Sequence, residues 1–552
     1  MTQLASVRVS DLISCGRKER FVVGHTNPKP ERGCHSVFAL ASLVSSLTLR
    51  VGVRKANFNE DTFVAMTSPF TAATMAGLMT NSLPSIAPVY RVGWFVDSAG
   101  SVVEDVSICI AADGRIDVRR GSDPAAIDLG DVALIPGLVN AHTHLEFSLL
   151  REPIPTAGRF TDWIRSVVKY RREQAELFAA TRGDRDVVVR TPSSGRVSLL
   201  QNPTGLAPVE SGLCTTQFQL GSEVVQRPAS HRGKPDGVLQ QAGRRMDSNT
   251  TEEAIRAGIE ESLRSGSTLI GDIATTGWSS SDYLKDDFSG VVFQELIGLT
   301  DERVRSQFEL AQQVLATDGG IGLSPHAPYS VRPDLLSHAV QMARAAARPI
   351  AMHLAETEAE LELLADGTGE FRELLTEFGI WRDGLFGGGG RPREWLETLA
   401  DAPRSLIVHG NYLDEDELRF LAARPQMTLV YCPRTHAAFG HRDHPWRRLL
   451  ELGGSVAFGT DSRASNPDLS LFAEMQFVAE QHPDLSHLTL LDLATRSGRH
   501  ALLGDEAANV STSFTLVRLA TPRANDLSRD LFVRSSKVIG TVRDGRWYFA
   551  TE

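Results

Sequence analysis

The sequence predicts an α/β fold, a TIM-type (β/α)8 barrel with a small β-sandwich module built from both chain ends. Eight short apolar runs in the middle of the chain alternate with helical patterns, which is typical of a parallel sheet covered by helices. Short apolar segments near both ends are typical of a separate β module. Histidine and aspartate residues follow several of the apolar runs, where barrels carry their catalytic groups.

The amino-acid composition and net charge limit the class of protein that this chain can be and the partners that it can bind. The chain has 552 residues, of which 42% are hydrophobic and 23% are charged, as in soluble globular proteins. Its net charge of -11 argues against nucleic acid or an anionic membrane as partner, because no basic excess is available to neutralise phosphates. The five cysteines lack the spacing of a disulfide framework or a thiolate zinc site, which favours the reducing cytoplasm. We therefore expect a cytoplasmic protein with a small-molecule substrate, and a homodimer is left open.

The two chain ends predict one module preceded by an extension. Residues 1–86 lack a sustained period, and their most apolar stretch is too short and too polar to span a bilayer. We expect this segment to be a disordered N-terminal extension, or a start assigned too far upstream, with Met66 or Met79 as the alternative. Residues 87–136 and 506–552 contain short strands separated by turn signals, and we expect them to form the β module together.

Residues 137–505 are predicted to form the barrel. Its candidate strands are Gly137–Ala141, Ser267–Asp272, Val291–Ile297, Gly322–Pro325, Ile350–His353, Leu406–His409, Thr428–Cys432 and Ser455–Gly459. This number matches a (β/α)8 barrel, in which catalytic groups stand at the carboxyl ends of the strands. Residues 182–249 interrupt the alternation, because they are polar and rich in Gly, Ser, Pro and Arg. We expect them to form a disordered insertion between the first two strands.

Side chains that bind metals stand at the ends of several predicted strands. His142 and His144 follow the first strand, and alternate residues of a strand point the same way, so both imidazoles can reach one ion. Four further strands end near another such residue: His326, His353, His409 and Asp461. A lone pair of histidines would be a weak signal, but their joint placement at one mouth predicts a metal centre.

These residue types also predict a hydrolytic chemistry. Three imidazoles and one carboxylate leave a position open on an ion such as zinc, which is typical of catalytic sites. Water bound there would ionise near pH ~7 and supply hydroxide. Asp461 can accept the proton of that water, and Glu356, shortly after His353, can pass a proton to a ring nitrogen or leaving group. A carboxylate that stabilises the start of a helix is the structural alternative for Glu356.

The segment Ile135–His144 resembles the strand-one signature of the amidohydrolase superfamily. With His353–Glu356, His409–Gly410 and Gly459–Ser462, the chain is similar to one branch of that superfamily. This branch holds cytosine, guanine, S-adenosylhomocysteine/methylthioadenosine and aminodeoxyfutalosine deaminases and the triazine chlorohydrolases. The resemblance runs from about Arg91 to the C-terminus, with a gap at the insertion.

The resemblance implies a divalent metal ion, zinc or iron, held by four ligands: His142, His144, His353 and Asp461. It implies that Glu356 is the proton shuttle, that His409 lies beside the attacking water and that His326 contacts substrate. Binuclear relatives bridge two ions with a modified lysine, and no lysine stands at a predicted strand end, which favours one metal. The other class of zinc deaminases is excluded, because the chain has no PCxxC sequence.

Two loops are expected to face the substrate. After strand one, Glu146 is predicted to hydrogen-bond substrate or, equally, to support a metal ligand. After strand seven, Arg434 is a candidate for a polar or anionic substrate group, with a structural salt bridge as the alternative. The same loop carries three histidines, for which we favour a specificity loop with surface histidines over a second metal site: His436, His441 and His444. Asp272 and Glu295, near strand ends, are expected to be buried, hydrogen-bonded carboxylates.

The predicted function is hydrolytic deamination of an amino-heterocycle or an aminopurine nucleoside-like substrate, with aminodeoxyfutalosine as a candidate. Hydroxide would add to an amidine-like ring carbon and ammonia would leave. A chlorohydrolase or a cyclic-amide hydrolase could use the same site, since specificity lies in the loops. A non-catalytic scaffold on this fold would be expected to have lost ligands, whereas this chain retains all of them.

Overall fold

The computed structural model describes residues 64–65, 88–111, 116–121, 123–182, 250–275, 283, 288–317, 319–505, 512–521 and 526–549. Of the expected extension, only Val64–Ala65 is described, and of the expected insertion, only Arg182. The rest of both segments lies outside the described residues. In the described part of the chain, no helix combines the length and the apolar character needed to cross a membrane.

The described strands form two sheets. The strands before the barrel are β1 (Val64–Ala65), β2 (Val89–Val96), β3 (Val102–Ile110), β4 (Ile116–Arg120), β5 (Ile127–Asp128) and β6 (Val132–Pro136). The barrel strands are β7 (Leu138–Thr143), β8 (Ser267–Ala274), β9 (Gly290–Leu296), β10 (Ile321–Pro325), β11 (Ile350–Leu354), β12 (Ser405–His409), β13 (Met427–Tyr431) and β14 (Ser455–Phe458). After the barrel come β15 (Phe514–Arg518), β16 (Lys537–Arg543) and β17 (Arg546–Phe549).

Helices alternate with the barrel strands. They are α1 (Phe160–Arg182), α2 (Thr250–Arg264), α3 (Asp301–Leu315), α4 (Pro333–Ala345), α5 (Glu358–Asp366), α6 (Gly369–Glu377), α7 (Pro392–Leu399), α8 (Glu415–Ala422), α9 (Pro433–Ala438), α10 (Trp446–Glu451), α11 (Leu471–Gln481), α12 (His487–Asp492) and α13 (Gly498–Leu503), with α14 (Leu527–Asp530) between β15 and β16. Several begin at a side chain that accepts a backbone N–H of the first turn, which satisfies groups that a helix start leaves free: Thr300, Thr357, Asp414 and Ser470.

The barrel strands lie parallel in one eight-stranded sheet that runs in chain order from β7 to β14. Hydrogen bonds between its first and last strands bring the two edges together. Asn140 Nδ2 donates to Thr460 Oγ1 over 2.8 Å, and the N–H of Asp461 donates to the carbonyl of His142 over 3.1 Å. The barrel prediction is confirmed, and this seam sets His142 beside Asp461.

The barrel strands are buried on both faces, which explains their continuous apolar runs. One apolar cluster fills the interior and includes Val139, Phe293 and Val430. A larger cluster packs the outer face of the strands against the helices. The strand ends that carry the site therefore project from a close-packed scaffold, which limits their movement.

The terminal sheet joins the two ends of the chain. Its strands follow the order β1-β4-β3-β2-β6-β15-β16-β17, with β5 beside β2. Strand β6 pairs antiparallel with β15, so that Pro136 lies opposite Phe514. The predicted β module built from both chain ends is confirmed, and its hydrogen bonds link the described strands into one mixed sheet. Since β6 continues through Gly137 into β7, this sheet also anchors the first barrel strand.

Candidate metal centre and active site

Three buried histidines converge at the carboxyl ends of barrel strands. His142 and His144 lie at the end of β7, and His353 lies in β11. One ring nitrogen from each lies within 4.8 Å of those of the other two. The Nε2 atoms of His144 and His353 are 3.3 Å apart. The alternation of residues along β7 thus directs both of its histidines to the same point, as predicted.

Asp461, three residues after the end of β14, completes this cluster. Its Oδ1 lies 3.5 Å from His142 Nε2 and 3.7 Å from His144 Nε2. Its Oδ2 accepts a hydrogen bond from Ser465 Oγ over 2.7 Å. Burial acts to raise the pKa of Asp461, but the polar contact with His142 and the charges of His142 and His409 outweigh it and lower the pKa to about 2. The carboxylate is therefore ionised at neutral pH.

The unpaired atoms of the cluster fit a metal ion. Both ring nitrogens of His142 and Nδ1 of His144 are buried without a hydrogen-bond partner in the described part of the chain, although buried polar atoms normally have one. His353 Nδ1 bonds the carbonyl of His326 over 3.0 Å, which leaves its Nε2 for a ligand. Burial lowers the pKa of His144 and His353 well below the usual value, so both imidazoles are neutral, as metal ligands must be. Three imidazoles and a carboxylate are a donor set that suits zinc.

Glu356 and His409 face each other beside the cluster. Glu356 follows β11, His409 ends β12, and Glu356 Oε1 lies 3.4 Å from His409 Nε2. The His409 ring centroid is 5.4 Å from that of His353. Burial raises the pKa of Glu356 well above its usual value, and the charges of Asp461 and Glu360 add to the shift. Glu356 can therefore hold a proton near neutral pH, as a general acid requires.

The backbone at this mouth is held in uncommon conformations. Ala355, His409 and Asp461 have φ angles of 53°, 67° and 55°, a left-handed region that side-chain-bearing residues seldom adopt. The Glu360 carboxylate accepts the N–H groups of Ala355 and Glu356 over 2.8 and 3.2 Å. Such conformations persist where the surroundings enforce them, and they concentrate at functional sites.

His326 lies beside the cluster with one nitrogen available. Ser330 Oγ donates to the carbonyl of Ala327, so its oxygen accepts from His326 Nδ1 over 2.7 Å. Burial, with the charges of Arg171 and His142, lowers the pKa of His326 to about 3. The ring is therefore neutral, and its Nε2 is an acceptor 3.9 Å from Glu295 Oε1. The His326 side chain is 20% exposed, which opens it toward the mouth.

Glu146 is engaged by a residue that sequence reasoning missed. Arg171, on α1, donates from Nη2 to Glu146 Oε1 over 2.6 Å and lies 3.9 Å from Glu295 Oε2. Thr275 Oγ1 donates to the other oxygen of Glu146 over 3.0 Å. Glu295 is buried as expected, but none of the described residues forms a hydrogen bond with its Oε1. Arg171 belongs to no sequence motif. It reaches Glu146 and Glu295 because α1 passes over the mouth of the barrel.

Arg434 is bonded to carboxylates of the barrel. Its Nη2 lies 2.6 Å from Asp468 Oδ1 and its Nε lies 2.7 Å from Glu474 Oε1. The Glu474 carboxylate is fully buried, and the Arg434 side chain is 15% exposed. This arrangement corresponds to the salt-bridge alternative for Arg434.

Replacing Arg434 by methionine is expected to destabilise the fold without weakening substrate binding. The change leaves the buried Glu474 carboxylate without its ion-pair partner, which costs about 3 kcal/mol of unfolding free energy. Urea unfolding and the KM of the active protein measure the two effects. Arg442→Met, in an exposed part of the same loop, is the matched control. A tenfold or greater rise in KM at unchanged stability would instead assign Arg434 to the substrate.

The histidine-rich loop differs from its prediction in one respect. His444 is buried, and both of its ring nitrogens are hydrogen-bonded, so the expectation of a surface histidine is wrong here. It is buried because the loop folds back beneath Tyr431, whose ring centroid is 4.1 Å away. Among the described residues, one group of three or more histidine, cysteine or carboxylate side chains is placed to bind a common metal ion. It consists of His142, His144 and His353.

The fold is similar to several solved structures. Helicobacter pylori aminofutalosine deaminase in complex with methylthio-coformycin has a TM-score of 0.57 and 19% identity, over 83% of this chain and 99% of that chain. An adenosine deaminase from Xanthomonas campestris with bound zinc has a TM-score of 0.55 and 20% identity, over 84% and 93%. An atrazine chlorohydrolase from Arthrobacter aurescens, complexed with zinc and atraton, has a TM-score of 0.56 and 16% identity, over 84% and 95%.

The chain is also similar to curated deaminases. A 5-methylthioadenosine/S-adenosylhomocysteine deaminase of Nitratidesulfovibrio vulgaris is 25% identical over 426 residues, which cover 74% of this chain and 76% of that protein. An aminodeoxyfutalosine deaminase of Deinococcus radiodurans is 26% identical over 278 residues, which cover 46% of this chain and 63% of that protein. The predicted enzyme class, a hydrolase that acts on non-peptide carbon–nitrogen bonds, is confirmed by these matches.

The amidohydrolase family matches residues 133–505, from the strand before the barrel to the helix after it. Every site residue described above lies within this range. The family resemblance read from the strand ends is confirmed. The chain belongs to the amidohydrolase family, whose members depend on metal ions.

Proposed function

We propose that this protein deaminates an aminopurine nucleoside-like compound or another amino-heterocycle by hydrolysis, using one divalent metal ion. Zinc is the proposed ion, and iron is the alternative. The observation that carries the proposal is the buried cluster of metal-type side chains with a carboxyl–imidazole pair, Glu356 and His409, 3.4 Å apart at its side. The deaminases among the relatives support it.

Four side chains would hold the ion: His142, His144, His353 and Asp461. When bound, an ion of this kind polarises water and brings its pKa to about 7. Asp461, which is ionised, accepts a proton from the attacking water at a carboxylate oxygen. Ser465 Oγ donates a hydrogen bond to Oδ2 of Asp461 and so fixes the orientation of the carboxylate.

Glu356 and His409 complete the proposed proton transfers. The oxygen of water adds to the ring carbon that bears the amino group, and the bond from that carbon to the amino nitrogen then breaks. Glu356 gives its proton to the ring nitrogen and so helps the addition. It then takes the proton of the added hydroxyl and passes it to the amino nitrogen, which leaves as ammonia, and the proton held by Asp461 restores Glu356. His409 Nε2 lies close enough to Glu356 Oε1 to share that proton and to orient the water.

Substrate contacts are proposed for His326 and Glu146. Their side chains are 20% and 17% exposed, in contrast to His142, which is fully buried. His326 Nε2 and Glu295 Oε1 are 3.9 Å apart, and Glu295 Oε1 has no hydrogen-bond partner among the described residues. A substrate hydroxyl or amino group placed there would donate to one of them, which suits a nucleoside. Aminodeoxyfutalosine is the candidate that a relative in sequence and a relative in fold support.

The second candidate function keeps the site and changes the leaving group. Similarity in fold to an atrazine chlorohydrolase and to triazine hydrolase favours it. Chloride would leave in place of ammonia, or a cyclic amide would open. The proposed ligands serve these reactions equally, so only product analysis separates them.

The deciding experiment measures ammonia release by zinc-loaded protein. The panel holds methylthioadenosine, S-adenosylhomocysteine, adenosine, aminodeoxyfutalosine, guanine, cytosine and an aminotriazine. We expect release from a purine nucleoside, with a kcat/KM of about 10⁴ M⁻¹s⁻¹ or more. A chlorotriazine assayed for chloride serves as the comparison. Chloride release without ammonia release would support the second function. Release of neither product, from protein that binds no metal, would favour a non-catalytic scaffold.

A further inference from the structure

His409 projects its side chain from an uncommon backbone. Its φ angle is 67°, and Gly410 follows with a φ angle of 63°. Glycine adopts this left-handed conformation freely, whereas a residue with a Cβ adopts it only where neighbouring groups hold it. The direction of the His409 imidazole, and with it the 3.4 Å approach to Glu356 Oε1, depends on this conformation. A group that holds the His409 peptide therefore acts on the site.

His444 is such a group. Its Nε2 lies 2.7 Å from the carbonyl oxygen of His409, and its Nδ1 accepts the N–H of Trp446 over 3.0 Å. Because Nδ1 accepts a hydrogen bond, Nε2 carries the ring's single N–H and donates a hydrogen bond to the carbonyl oxygen of His409. Burial lowers the pKa of His444 to about 3, which keeps the ring neutral. The tautomer is thus defined by the two hydrogen bonds.

The ring of His444 is itself held in place. Trp446 begins α10 and is 1% exposed, so the N–H that fixes Nδ1 belongs to a buried helix start. Tyr431 packs against the ring with centroids 4.1 Å apart. The neighbouring His436 bonds elsewhere, since its Nε2 lies 2.8 Å from the carbonyl of Arg442. His444 therefore connects a rigid helix start to the end of β12.

We propose that His444 is a positioning residue, which holds the carbonyl of His409 and so keeps the imidazole of His409 directed at Glu356. The inference rests on the proposed function, because it concerns the orientation of a group proposed to act beside the reacting atoms. His444 acts through His409. The residue thus belongs to the machinery of the reaction, although it lies outside the metal cluster.

Two substitutions separate this role from a structural one. Glutamine places an amide N–H near the position of Nε2 and keeps a donor for His409. Asparagine places its oxygen near the position of Nδ1 and keeps an acceptor for Trp446. We expect His444→Asn to lower kcat about 100-fold, since small misplacements of catalytic groups have effects of this order. We expect His444→Gln to stay within about fivefold of the parent kcat.

The remaining readouts exclude loss of fold or metal. KM and the metal content per chain are expected to stay unchanged in both variants. His338→Gln, at an exposed position of α4, is the control and should match the parent protein. Full activity in His444→Asn, equal losses in both variants, or loss of metal together with activity would overturn the inference.

A crystal structure of His444→Asn tests the inference without turnover. We expect the φ angle of His409 to leave the left-handed region, or its ring to turn away from Glu356. An unchanged His409 would overturn the positioning role. A parent protein that deaminates nothing in the panel would instead refute the proposed function, so the two failures are distinguishable.

Discussion

Turnover is expected to disappear when Asp461 is replaced by asparagine. The amide keeps the size of the side chain but loses the negative charge that lies 3.5 Å from His142 Nε2 and 3.7 Å from His144 Nε2. The change removes the proposed fourth metal ligand and the proposed proton acceptor together. We expect kcat/KM to fall by more than about 10⁴-fold, which combines the usual effects of losing a general base and weakening a metal site. Ammonia release and metal analysis of the purified variant measure both.

The fold should survive this substitution. Asparagine tolerates the left-handed conformation that Asp461 adopts, with its φ angle of 55°, better than most residues. The backbone hydrogen bond from residue 461 to His142 does not involve the side chain. Ser465→Ala, which removes the hydrogen bond to Oδ2 but keeps the carboxylate, is the matched control. It should lose about 10-fold. Near-normal activity in Asp461→Asn would refute the proposed mechanism.

Glu356→Gln is expected to separate metal binding from turnover. The side chain is almost buried, and an amide of the same volume fits its place, but it cannot give up a proton to the substrate. Loss of a general acid typically costs about 10²- to 10⁴-fold in rate, and we expect kcat to fall within this range. Metal content should remain at the parent level, because Glu356 lies outside the metal cluster of His142, His144 and His353.

Glu358→Gln is the control for this change. Glu358 is exposed at the start of α5, two residues beyond Glu356, and should be silent in every assay. Loss of metal in Glu356→Gln would show that the residue is a ligand and not the proton shuttle. Unchanged turnover in Glu356→Gln would show that another group supplies the proton.

The parts of this site that strand ends define are predictable from the sequence. A buried parallel strand reads as a continuous apolar run, and the first polar residue after it marks the barrel mouth. The positions of His353 and His409, like those of the histidine pair in β7, follow from this pattern. The strands of the terminal sheet are marked in a similar way, by short apolar runs between turn signals.

The remaining features depend on tertiary packing. Sequence does not encode the left-handed backbone of His409 in any local pattern, because a residue with a Cβ keeps this conformation only where neighbouring groups hold it. His444 stands next to Asp443 and two residues from Arg442, and such a polar stretch suggests a surface loop. Its burial follows from contact with Tyr431, which lies at the end of the preceding strand. Arg171 lies on a helix, where a charged residue is ordinarily solvated.

The seam between β7 and β14 has a consequence for synthesis of the protein. Thr143 and Asp461 pair across it although 318 positions separate them in the chain. On the ribosome, the histidines of β7 emerge long before the aspartate that faces them. In the proposed site, a nascent chain therefore lacks the fourth ligand until the last barrel strand has left the exit tunnel. The complete ligand set would thus form only when the barrel closes, and an ion held by it would connect the first strand to the last.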